Sequence, residues 1–234
     1  MTDKNGATWR SADELLAQAL RYRTYWKNGG GITVSGGEPL LQIDFLLDLF
    51  KKAKAKGIHT TIDTAGGPFT REEPFFSKFQ ELMQYTDLLL VDIKHIDEKS
   101  HKELTGKTNK NILDMIRFLS DIKKPVWIRH VLVPERSDYD EYLNRLNDFI
   151  QTLDNVERVE ILPYHTLGAY KWKELGLDYP LEGINPPSRE RVENAKKNPA
   201  LFVRHILKNR WQLSLHILPV MCYDWCSVFK RGEL

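Results

Sequence analysis

Hydrophobic and polar positions along the chain follow two alternating periods. Short apolar, β-type runs at 32–34, 60–62, 88–93, 126–133 and 156–162 read as strands, each bounded by glycine, proline or charge. Between them the period lengthens to that of a helix. Ile43, Leu46, Leu47 and Phe50 make one apolar face over 41–56; Ile112, Ile116 and Leu119 do so over 111–123, and Leu143, Leu146 and Ile150 over 138–153. Ser11 and Glu14 have capping-box spacing, predicting a first helix that runs to about Trp26 and stops at Gly29-Gly30-Gly31. Gly57 closes the second helix and Pro125 blocks continuation of the next. From 163 to 187 the pattern predicts loop, followed by a short helix over 188–197. Strands alternating with helices predict an α/β fold with a parallel sheet, either doubly wound or a barrel or part-barrel.

Composition narrows the partners. With 234 residues, 41% hydrophobic and 28% charged, the chain is sized for one α/β domain. A net charge of +2 argues against nucleic acid or an anionic membrane as principal partner. No apolar run approaches the roughly 20 residues of a membrane span, and the first residues lack the order of a signal peptide, so a cytoplasmic protein is expected. Only two cysteines occur, Cys222 and Cys226, which give no disulfide framework.

The chemistry sits where strands end. Ser35-Gly36-Gly37-Glu38-Pro39, Asp63-Thr64-Ala65-Gly66, Asp92-Ile93-Lys94 and Pro163-Tyr164-His165 each follow or close a β-type run. In α/β barrels binding and reacting groups lie at the carboxyl ends of the strands, so these motifs describe one site. Glycines at 36 and 37 allow close backbone approach, and Glu38 can accept from an ammonium. Asp92 and Lys94, two apart, share one face and are matched to the two ends of a zwitterion. Each feature also has a plainer reading: a tight turn, a helix cap at Asp63, an internal ion pair, a loop histidine at His165. Arg129 and His130 point to opposite faces of their strand, so only one of them faces the interior.

The residues carry a resemblance. Residues 34–41, 57–64 and 90–94, Val126-Trp127-Ile128-Arg129 with Val131-Leu132-Val133-Pro134, and Leu162-Pro163-Tyr164-His165 with Leu167-Gly168 and Lys171-Trp172 resemble, in order, the pyruvate formate-lyase activating enzymes. That family belongs to the radical S-adenosylmethionine (SAM) enzymes, and the match runs from about residue 8 to 197. The resemblance implies a (β/α) part-barrel of six units, with SAM across the strand ends beside a [4Fe-4S] cluster. By position, Gly36, Gly37, Glu38, Asp92, Ile93, Lys94 and His165 would contact SAM, and Asp63, Thr64 and Asp92 would hold a monovalent cation. The implied reaction is reductive cleavage of SAM to methionine and a deoxyadenosyl radical, which takes hydrogen from a glycine of the partner lyase. The implied partners are a glycyl radical enzyme, first of all pyruvate formate-lyase, and an electron donor such as flavodoxin or ferredoxin.

Two departures accompany the resemblance. The family's CxxxCxxC loop, whose three thiolates hold the cluster, is absent, and Thr8-Trp9 resembles the segment that follows that loop. The expectation is a radical SAM domain over 1–197, truncated at its start with the first strand missing, and an unmatched tail over 198–234. Two readings follow: an activating enzyme, or a catalytically incompetent SAM- and lyase-binding fragment or half of a split protein.

Overall fold

The structure is a computed structural model that describes residues 9–26 and 29–197. The expected tail over 198–234, with Cys222 and Cys226, lies outside the described residues. Five strands form one sheet: β1 (Gly31–Val34), β2 (His59–Thr64), β3 (Leu88–Asp92), β4 (Val126–Leu132) and β5 (Val156–Pro163). Every neighbouring pair is parallel and the spatial order is that of the sequence. A doubly wound sheet reverses its strand order partway. An unreversed order with crossovers of one hand puts the connecting helices on one side, which is barrel winding. Among the described residues β1 pairs only with β2 and β5 only with β4, so the winding stays open as a part-barrel.

The helices are α1 (Ala12–Leu20), α2 (Ile43–Lys54), α3 (Phe75–Gln84), α4 (Glu98–Thr105), α5 (Lys110–Asp121), α6 (Asp140–Gln151), α7 (Ala169–Glu174) and α8 (Arg189–Lys197). The capping box at Ser11 and Glu14 forms, with Glu14 N–H on Ser11 Oγ at 3.2 Å and Ser11 N–H on the Glu14 carboxylate at 2.8 Å. Yet α1 ends at Leu20, short of Trp26, because Tyr22 and Tyr25 find no face to bury and stay exposed. Three helices the pattern did not predict are present. Only His101 is buried in α4, so no apolar stripe announces it. α3 starts behind Pro74 without a side-chain cap, and α7 is only 6 residues long.

Strand alternation separates two environments. On β4, Val126, Ile128, His130 and Leu132 are buried, while Trp127, Arg129 and Val131 are half-buried. The buried set, continued by Ile62, Leu89, Val91 and Ile161, packs into the core with Phe50, Phe79, Leu119 and Leu146 of the helices. Each such side chain contributes about 1.5–3 kcal/mol through burial. Phe69 anchors an aromatic cluster in this layer, its ring edge-on to Phe79 at 5.1 Å between centroids. The half-buried set lines the hollow side of the part-barrel and carries charge at Asp63, Asp92, Arg129 and Glu160, with exposed Arg158 beside Glu160.

Candidate functional site

Asp63, the penultimate residue of β2, lies beside Leu90 of β3, and Asp92 closes β3 opposite Arg129 of β4, so parallel register alone brings three charged side chains to one end of the hollow face. Arg129 Nε donates to Asp92 Oδ1 at 2.9 Å and its Nη2 donates to Asp63 Oδ1. Lys94 Nζ donates to Asp92 Oδ2 at 3.0 Å. Two carboxylates thus meet two cations, and the side chains are only 9–22% exposed. The two carboxylates are not equivalent. Burial pushes the Asp63 carboxyl above the usual range despite Arg129. Burial acts the same way on Asp92, but Lys94 and Arg129 together outweigh it and hold that carboxyl below the usual range.

The first turn is built differently. Gly36 and Gly37 take φ of +96° and +47°, and a Cβ at either would meet nothing within 4 Å, so bare backbone borders open space. Glu38 next to them is 5% exposed. Its Oε1 accepts from Leu40 N at 3.0 Å and Thr64 Oγ1 at 2.5 Å, and its Oε2 accepts from Ala65 N at 3.1 Å. Thr64 Oγ1 in turn accepts from Gly66 N at 2.8 Å. Burial nevertheless raises the Glu38 carboxyl above its ordinary value. This carboxylate bolts the glycine turn to the end of β2, and the Thr64 hydroxyl is spent in the same joint.

Ile93 is buried, and its N–H is engaged by Arg129 O at 2.9 Å, so its main-chain donor is spent within the sheet. His165 is exposed just past β5, next to buried Tyr164, whose hydroxyl lies 2.7 Å from that of Tyr179. Register therefore gathers Asp63, Asp92 and Lys94; Gly36, Gly37 and Glu38 join them through Thr64, and His165 stands on the rim. Arg129 is the member the sequence left open. Strand parity makes it and His130 opposites, and an arginine opposite an aspartate in parallel register was the signal that it faces inward.

The donor set fits SAM: paired carboxylates and cations, partly buried, complement an ammonium and a carboxylate, and the glycine turn gives backbone access. A monovalent cation has less ready-made space, because the Arg129 guanidinium stands between Asp63 and Asp92 and the Thr64 hydroxyl is engaged by Glu38. The [4Fe-4S] cluster does not fit the described residues. They include no cysteine and no group of three His, Cys, Asp or Glu placed to hold a metal. No helix among them is long and apolar enough to cross a membrane.

Comparison with known proteins agrees with this architecture. The radical SAM superfamily pattern matches residues 2–149. The pyruvate formate-lyase-activating enzyme of Streptococcus mutans is 56% identical over 191 residues, covering 82% of this chain and 73% of that one. That of Staphylococcus epidermidis is 52% identical over 200 residues, covering 82% and 80%. A crystal structure of a domain of pyruvate-formate lyase-activating enzyme from Bacteroides vulgatus superposes with a TM-score of 0.59 at 28% identity, covering 74% of this chain and 93% of that one. The chain belongs to the radical SAM superfamily and, within it, to the family of pyruvate formate-lyase-activating enzymes.

Proposed function

We propose that this chain is the SAM-holding part-barrel of an enzyme that activates a glycyl radical enzyme, with pyruvate formate-lyase as the partner. The observation that carries this reading is the neutral group of Asp63, Asp92, Lys94 and Arg129 at the strand ends, in a chain 56% identical to an activating enzyme. SAM supplies the family's chemistry, a reductive cleavage whose deoxyadenosyl radical takes a hydrogen atom from a glycine of the lyase. The residues here bind and orient. Lys94 and Arg129 offer donors to the methionyl carboxylate, Asp63 and Asp92 accept from the ammonium, and the Gly36-Gly37 backbone admits the chain between them. Glu38 acts from behind by fixing the glycine turn, Ile93 ties the Asp92–Lys94 segment to β4 through its N–H on Arg129 O, and His165 closes the rim.

The cation reading for Asp63, Thr64 and Asp92 is consistent with this arrangement in one form. A monovalent cation would take the place of the guanidinium, with Thr64 serving through its carbonyl, and would release Arg129 toward the SAM carboxylate. An electron donor of the flavodoxin or ferredoxin class, a cytoplasmic setting, and a boundary between domain and tail at 197 complete the proposal. The incompetent-fragment reading gains no support from the family match.

Equilibrium dialysis of the chain with SAM tests the site. Asp92→Asn and His165→Ala are expected to weaken binding about tenfold each, while exposed His165 shifts stability by less than about 0.5 kcal/mol. Unchanged affinity in both variants sinks the assignment.

A further inference from the structure

The segment that carries Lys94 is held from the core side by residues outside the ligand set. His130, 3% exposed, lies on the helix-facing side of β4, directly after Arg129. Its Nδ1 is 2.8 Å from Ile93 O and its Nε2 is 3.2 Å from Ser137 O. A carbonyl only accepts, so a neutral ring satisfies one of these contacts, and the shorter one takes the proton. Ser137, itself buried, fixes the far side: its hydroxyl donates to Val131 O at 2.7 Å and accepts from Val133 N at 3.0 Å.

The following residue is held as firmly. His95, 1% exposed, accepts from Asp97 N at Nδ1, at 3.0 Å, so its proton is on Nε2 and goes to Arg136 O at 3.2 Å. Asn109 donates to His95 O at 3.1 Å and Ile96 O at 2.9 Å. The peptide before Lys94 and the residue after it are therefore each gripped by a buried imidazole. Between them only the Lys94 side chain reaches into the hollow, toward Asp92.

We propose that His130 is a positioning residue: by donating Nδ1–H to the Ile93 carbonyl it fixes the peptide on which Lys94 is mounted, and with it the placement of the Lys94 ammonium for the ligand's carboxylate. Two neighbours on β4 then divide the work. Arg129 grips the side chain of Asp92 from the hollow side, and His130 grips the main chain one residue later from the core side. The inference rests on the SAM reading of the site.

Two substitutions separate positioning from packing. The amide nitrogen of asparagine stands as many bonds from Cα as Nδ1, whereas that of glutamine matches Nε2. His130→Asn keeps the donor to Ile93, whereas His130→Gln loses it and turns its amide donor toward the Ser137 carbonyl instead. In dialysis against SAM, His130→Gln and His130→Ala are expected to weaken binding about tenfold and His130→Asn less than about threefold, the scale of one hydrogen bond. The melting temperatures of the Asn and Gln variants fall alike. In nitrogen NMR, His130 Nδ1 is protonated in the unsubstituted protein, and the Lys94 amide, bonded to the Ile93 carbonyl carbon, moves in the Gln variant but not in the Asn variant. Equal weakening by Asn and Gln, or an unprotonated Nδ1, overturns the positioning role. Unsubstituted protein that binds no SAM overturns the ligand assignment itself, a different failure from equal Asn and Gln affinities.

Discussion

Replacing Arg129 by methionine keeps most of its volume and removes the charge between Asp63 and Asp92. Asp92 retains Lys94, but Asp63 loses the guanidinium that its buried carboxyl faces. Removing one partner of a buried pair costs about 3–5 kcal/mol. A stranded carboxylate can instead take up a proton, at about 1.4 kcal/mol for each pH unit above about 3.9. That route caps the loss at about 1.5 kcal/mol at pH 5 and leaves the full 3–5 kcal/mol in force at pH 8, where the cap is about 5.5 kcal/mol.

The sign follows from linkage. A carboxyl whose folded pKa is raised, as at Asp63, stabilises the fold below its unfolded pKa and loses that contribution as pH rises through the folded value. Asp92, with its folded pKa lowered, does the reverse: its contribution is present above the unfolded pKa and lost as pH falls through the folded one. Removing Arg129 drives Asp63 further up, so the variant falls behind the parent progressively above about pH 4. Urea unfolding followed by tryptophan fluorescence, with a slope of about 3 kcal/mol per molar, should show a midpoint loss of about 1–1.5 M at pH 8 and about 0.5 M at pH 5. Adding Asp63→Asn should restore a good part of the pH 8 loss. Equal losses at the two pH values, or a loss below about 1 kcal/mol at pH 8, would refute the electrostatic account.

Glu38→Gln puts an amide donor against backbone or hydroxyl donors in a buried joint, and thermal melts should show about 1–3 kcal/mol of lost stability; an unshifted melt would mean the joint is slack. Anaerobic reconstitution of the 234-residue chain alone, with its two cysteines, should leave iron and sulfide well below a cubane's complement. A stoichiometric electron paramagnetic resonance signal together with deoxyadenosine formation would contradict this. Because β1 pairs only with β2 among the described residues, its other edge is open to pairing with other chains, and oligomers or aggregates are expected in light scattering. A monodisperse monomer would show that edge to be protected.

The strands were legible because each is a short β-type run bounded by glycine, proline or charge, and all five appear within a few residues of their predicted places. α4 was not, since its sequence EKSHKELT buries a single histidine and shows no stripe. Its start is set by the Asp97 carboxylate on Ser100 N, a cap without an apolar run behind it. At the site, Asp63, Asp92 and Lys94 could be placed from strand ends, because a charge closing an apolar strand has few places to go. The bond from Glu38 to Thr64, 26 residues away, was out of reach of any local pattern. So was the choice between Arg129 and His130: parity separates them, and only the neighbouring strand says which one faces the hollow.

The unreversed strand order has a consequence for synthesis. Each βα unit docks on the one made just before it, so the sheet can grow from β1 toward β5 as the chain emerges, with a new edge at every stage. When β3 has docked and β4 has not, the growing edge ends in Asp92 and Lys94, both still hydrated. Charges at an exposed edge discourage pairing with a strand from another nascent chain. The arrival of β4 brings Arg129 into register and converts that repellent edge into the neutral floor of the site. The same carboxylate would guard the half-made sheet and serve the finished one.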